Sequence, residues 1–318
     1  MRALQFAAAA AVLLAAAGAL AKQTDPAPAS KAAPANTVSG VSVPAPQKQD
    51  PLVDPAVQFV RSHLPTNRNA QYARFHDPVC VNVQGLPEEF DAFVAQRVVE
   101  MAKTVKAPVD PSPACKPNVN VIFSTQPQAQ LGDIAKRRDI LFGFYFKASF
   151  DKIRTFSRPI QSWYLTRAVG TNGRDMLELY DPVPCVSSPF GICDIKSPAV
   201  KGRAGSRLGN DMSTEIVHSL IIADANKVTG EKIDAVADYI AVLALSRWQG
   251  LERCNTVSTI LNLMADDCGD PPEAATASDI GLLTGLYAMS PRDLGDLQRM
   301  SIASRMRAAD KAQQESSR

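Results

Sequence analysis

Apolar and polar residues recur with two different periods along this chain, and the changes of period outline its elements. Phe90, Phe93, Val94, Val98, Met101 and Val105 fall at helical spacing, with Glu89, Gln96, Glu100 and Lys103 on the opposite side. That pattern predicts an amphipathic helix opening at Pro87, with Glu88 and Glu89 in the first turn, where the helix dipole favours them. Val119 to Thr125 (VNVIFST) alternates and is rich in β-branched residues, which predicts a strand. Further strands are expected at Pro78 to Val83, Leu141 to Phe146 and Ser162 to Val169, and a short helix at Pro127 to Arg138. In Thr214 to Asp224, Ile216, Leu220 and Ile222 alternate with Glu215 and Ser219, which favours a strand. Lys232 to Trp248 carries Ile233, Val236, Ala237, Ile240, Leu243 and Ala244, a stripe broad enough for a buried helix. A helix capped by Ser278 and bearing Leu282, Leu283, Leu286 and Tyr287 follows, then an amphipathic one from about Pro291 to Ala308. The fold class expected is α+β: a mixed β-sheet with a long helix, a buried central helix and an all-helical C-terminal part.

The ends of the chain have a different texture. Met1-Arg2 precedes an apolar run from Ala3 to Ala17, and Ala19-Leu20-Ala21 fits an A-x-A cleavage site, so residues 1–21 read as a secretory signal peptide. The run is short and Ala-rich for a bilayer about 30 Å thick, and no later segment approaches about 20 apolar residues. No transmembrane segment is therefore expected after cleavage. Residues 22–55 are rich in Pro and Ala, with little apolar surface to offset ordering entropy, and read as a disordered linker. A single globular domain over residues 56–310 and a polar tail over 311–318 complete the expected organisation.

Composition narrows the function classes. A formal charge of +2 gives no reason to expect a nucleic-acid partner. Two local basic groups exist: Lys196, Lys201, Arg203 and Arg207 in a Gly-rich loop, and the tail from Arg299 to Arg318. Solvated surface is the ordinary fate of both. Six cysteines in an exported chain read as a disulfide framework, which places the protein in the periplasm or outside the cell. Many pairings are open in principle; the shortest-range set is Cys80–Cys115, Cys185–Cys193 and Cys254–Cys268. No C-x-x-C is present, so neither a zinc knuckle nor a thioredoxin-like redox pair is indicated.

Candidate chemistry is sparse. The three histidines, His63, His76 and His218, share no local metal-ligand spacing. Ser149-Phe150-Asp151-Lys152 fits S-x-x-K, but the S-D-N and K-T-G elements that accompany it in penicillin-interacting enzymes are missing. There is no G-x-S-x-G elbow, P-loop or G-x-G-x-x-G. The candidate cleft polar residues are His218, Asp224, Asp238 and Tyr239.

The order of elements carries more than any motif. A strand, the apolar segment Ala237 to Leu245, the segment Thr259-Ile260-Leu261-Asn262-Leu263-Met264, and the helix Ala277-Ser278-Asp279-Ile280 to Leu286-Tyr287 follow one another. This order over residues 214–289 resembles a degenerate zincin-like domain, of the metzincin and matrixin-like kind, as in uncharacterised exported bacterial proteins. The resemblance implies a central helix, a turn built around Met264 and a closing helix of D-I-x-x-L-x-x-L-Y type. It also implies that Ala237, Ala241 and Arg247 stand where three zinc ligands would be, with Asp238 at the general-base position. Methyl groups and a guanidinium offer zinc no donor. The expectation is thus no metal, no cofactor and no catalytic residues. It leads to a non-catalytic envelope protein that binds a peptide or protein partner. The alternative is a peptidase-like hydrolase with an unrecognised nucleophile or metal site.

Overall fold

The computed structural model describes residues 54–67, 70–110, 112, 114–137, 139–142, 151–170, 175–177 and 212–317. The signal-like segment, most of the linker, the basic Gly-rich loop, Ser149 and the Cys185–Cys193 pair lie outside the described residues. All of the described residues fall in one compact unit, Gln49–Arg318.

The sheet is built from strands β1 (Arg74–Phe75), β2 (Val81–Gln84), β3 (Val119–Ser124), β4 (Ile160–Gly170), β5 (Asp175–Leu177) and β6 (Met212–Asp224). Their order is β2-β3-β6-β4-β5. β2, β3 and β6 are mutually parallel, while β4 runs antiparallel to both β6 and β5. β1 pairs parallel with β6 at Glu215 and Ile216, and β4 takes the other flank of those two residues. The register between β4 and β6 slips once, because Leu165 faces His218 while Thr166 faces Ile216. Val217 is the extra residue of this bulge, and it resets which side chains of β6 face each side.

Helix α1 (Pro55–His63) starts with Pro in its first turn, and the Asp54 carboxylate accepts from the Ala56 amide at 2.9 Å. Helix α2 (Glu88–Thr104) follows β2, and α3 (Pro127–Arg137) follows β3. After β6 come a short α4 (Ala225–Val228), the central α5 (Ile233–Leu245), α6 (Ala277–Ala288) and α7 (Gly295–Ser316). Every residue of α5 from Ala235 to Leu245 is buried. A helix that is apolar on all sides has no wet face to present, and this one lies inside the main core.

Two apolar clusters lie on opposite faces of the sheet. Val119, Val121, Phe123, Tyr164, Ile221 and Ala223 join the large cluster with α2 and α5. Ile122, Trp163, Leu220 and Ile222 join a smaller one with Leu131 of α3 and Phe142. The period of two along each strand divides the residues this way, and it explains why Leu220 to Ala223 is an unbroken apolar run: both faces are covered.

Four element boundaries differ from the sequence reading. Leu141 and Phe142 lie in a 3-10 turn, Asp139–Phe142, rather than opening a strand; the remainder of that segment is outside the described residues. The central helix stops at Leu245, so Trp248 belongs to the following loop. Thr276, not Ser278, caps α6; the Ser278 hydroxyl donates instead to Asp310 of α7 at 2.7 Å. The last helix begins at Gly295 and runs through Ser316. Disulfides join Cys80 to Cys115 and Cys254 to Cys268. Among the described residues, no helix is long and apolar enough to cross a membrane.

Candidate binding cleft

Asp238 is fully buried and both of its carboxylate oxygens are engaged. Arg97 of α2 donates to it through two nitrogens, one of them at 3.0 Å, and the Ala275 amide donates to it at 2.8 Å. The hydrogen bond to Asp238 raises the Arg97 pKa above its ordinary value. A fork of this kind fixes geometry as well as charge. Asp238 therefore ties α5 to α2 and to the chain entering α6.

The sheet keeps the four candidate residues apart. His218 and Asp224 share a strand face with Leu220 and Ile222, on the side of α3. His218 Nε2 lies 2.7 Å from Asn120 Nδ2. Asp224 caps α4, accepting from the Asn226 amide at 3.1 Å. Asp238 and Tyr239 belong to α5 on the opposite side. Ala237 and Ala241 are fully buried within the large core cluster.

A cleft of about 490 Å³ opens beside α5. Tyr239 and Leu243 form its floor. Trp248, Gln249, Leu251 and Glu252 come from the loop after the helix. Ile160, Gln161 and Ser162 come from the start of β4, and Lys152 and Arg158 from the chain before it. The walls are pinned. Tyr164 donates from its hydroxyl to the Leu243 carbonyl at 2.9 Å, and the Trp248 indole donates to the Val242 carbonyl at 3.0 Å. Arg158 donates to the Leu251 carbonyl and sits 3.5 Å from Glu252. The Tyr239 hydroxyl is buried without a hydrogen-bond partner among the described residues. Burial pushes its pKa up to about 12, so at neutral pH the phenol keeps its proton. A second cleft, about 430 Å³, lies on the other face between α3 and the sheet, lined by Gln84, Asn120, Gln130, Asp133, Arg137 and Leu220 among others.

One buried carboxylate escaped the sequence reading as a structural centre. Asp279 accepts from the Thr259 hydroxyl, the Ile260 amide at 2.8 Å, and the amide and hydroxyl of Thr276, each at 2.9 Å. Burial raises its pKa, and the hydrogen bonds partly offset that rise. It thereby bolts the 3-10 turn Ile260–Met264 to the first turn of α6. The signal was present as Thr276-Ala277-Ser278-Asp279, a capping box.

Among the described residues, no three His, Cys, Asp or Glu side chains cluster in a way that would hold a metal ion. Comparison with protein-family models, with curated proteins and with solved structures returned no match.

Proposed function

We propose that this chain is an exported, non-catalytic zincin-like protein that holds a peptide or protein partner in the cleft beside α5. Export is supported by the Ala19-Leu20-Ala21 cleavage pattern and by the two disulfides. The zincin-like reading is supported by the sequence of elements in space. β6 leads through the short α4 into a helix buried from Ala235 to Leu245, a turn carrying Met264 packs against that core, and Asp279 fastens the turn to α6.

The cleft favours a register of the metzincin pattern two residues later than the sequence suggests. In H-E-x-x-H-x-x-G-x-x-H the ligands fall at i, i+4 and i+10. Tyr239, Leu243 and Gln249 have that spacing, and all three line the cleft, whereas Ala237 and Ala241 are in the core. The observation that carries the non-catalytic reading is this trio. Leu243 has no donor atom and Gln249 offers only a neutral amide, which leaves the Tyr239 phenol as the one side chain of the three with an oxygen of ligand type. An apolar floor with polar walls is instead the make-up of a binding site.

The test is elemental analysis of the dialysed protein combined with a peptide-cleavage assay. The expected result is well under one zinc per chain and no hydrolysis. Near-stoichiometric zinc with chelator-sensitive cleavage would overturn the proposal in favour of a metallopeptidase.

A further inference from the structure

Resting on that reading of the cleft, the geometry points to its ligand: we infer that it takes the C-terminal carboxylate of a peptide whose last side chain is apolar. Three observations converge. The first is the Tyr239 hydroxyl, buried on the cleft floor with no partner among the described residues. Buried hydroxyls are nearly always hydrogen-bonded, so one left open at the base of a cleft marks where a ligand atom completes the bond. The protonated phenol has a hydrogen-bond donor to offer, which an acceptor atom of the ligand would satisfy.

The second is charge. The described lining holds two cations, Lys152 and Arg158, against one carboxylate, Glu252. Arg158 is already drawn towards Glu252 and the Leu251 carbonyl, while Lys152 forms no ion pair with a described residue and is exposed. The unbalanced positive charge therefore sits at the mouth, where it would meet an anion before burial. The third is the apolar surface that Leu243, Trp248 and Leu251 give the cleft. A carboxylate with an adjoining aliphatic side chain satisfies all three at once: an oxygen on Tyr239, the charge on Lys152, the side chain against Trp248.

The experiment is calorimetric titration of the mature protein with an N-acetylated tripeptide ending in leucine, with the same peptide as its C-terminal amide, and with N-acetyl-leucine. The acid peptide should bind at least roughly tenfold more tightly than the amide, since the amide loses the charge and one acceptor oxygen. Tyr239→Phe should weaken the acid peptide by about tenfold without lowering the melting temperature. Lys152→Gln, at an exposed position that does not threaten folding, should weaken it and flatten its salt dependence. Equal affinity for acid and amide, or unchanged binding in both variants, would overturn the carboxylate inference while leaving the cleft a peptide site. N-acetyl-leucine binding as tightly as the tripeptide would contradict a peptide ligand and assign the site to a small acid. Binding of none of the three would sink both this inference and the peptide-binding reading beneath it.

Discussion

Tyr164 of β4 and Tyr239 of α5 are both buried, but their hydroxyls differ. Tyr164 donates to the Leu243 carbonyl, whereas Tyr239 donates to no described residue. Tyr164→Phe should therefore cost about 1 kcal/mol, while Tyr239→Phe should be neutral or stabilising, as chemical denaturation will show. The same residues set the alkaline limit. The folded pKa of Tyr239 is raised to about 12 from 10.0, and burial also raises those of Tyr164 and Tyr287. A raised folded pKa means stability fully present below the unfolded value and lost as pH rises through the folded one. The melting temperature should hold steady to about pH 10 and fall between about 10 and 12, less steeply in Tyr239→Phe. A curve flat through that range would contradict this account of the buried phenols.

Asp238 and Arg97 show how far a single residue can be read from sequence. Asp238 was legible as a polar residue inside an apolar helix, hence a candidate. Its partner was not, because Arg97 lies 141 positions away and no local pattern connects residues that far apart. Arg97→Met would leave the buried carboxylate with a single backbone donor, Ala275, and should destabilise by about 2–4 kcal/mol. Asp238→Asn should be milder, since an amide keeps one acceptor and Arg97 can reach water. Equal, negligible effects of both changes would remove the clamp from the account. Asp279 was half legible. Its capping box is local, but its bonds to Thr259 and Ile260 span about twenty residues that no local pattern connects.

At the scale of elements, periodicity sufficed where burial is one-sided or complete. α2 follows its apolar stripe, and α5 and the second half of β6 follow their unbroken apolar runs. It failed where a short aromatic segment suits several structures, as at Leu141 and Phe142, which turn in a 3-10 helix under α3. It also gave no warning of α1, whose start at Asp54-Pro55 directly follows the Pro-rich stretch in the sequence. The contact between α6 and α7 depends on glycines instead. A Cβ on Gly285 would lie 2.7 Å from Ile302 Cα, and one on Gly281 would lie 2.8 Å from the Arg305 carbonyl oxygen. Gly285→Ala should thus cost about 1–3 kcal/mol through forced separation of the helices. A melting temperature equal to the parent's would show that the helices part freely.

At the scale of the whole molecule, the sheet decides which candidates can cooperate. Period-two alternation sends His218 and Asp224 to one face, and the connection from β6 through α4 carries Asp238 and Tyr239 to the other. Strand order is not written in any local pattern, so a list of candidates drawn from sequence mixes the two faces. What remains on the side of α5 is a cleft lined by the Tyr239 phenol and the Leu243 side chain. The most direct measurement places a photo-crosslinking residue at the exposed Gln249 and, in a second protein, at Asp133 in the cleft on the opposite face. Crosslinked peptides are then read by mass spectrometry. The account predicts intact peptides captured from position 249 and not from 133. Capture from 133 alone, or capture at 249 of fragments cut during incubation, would contradict it.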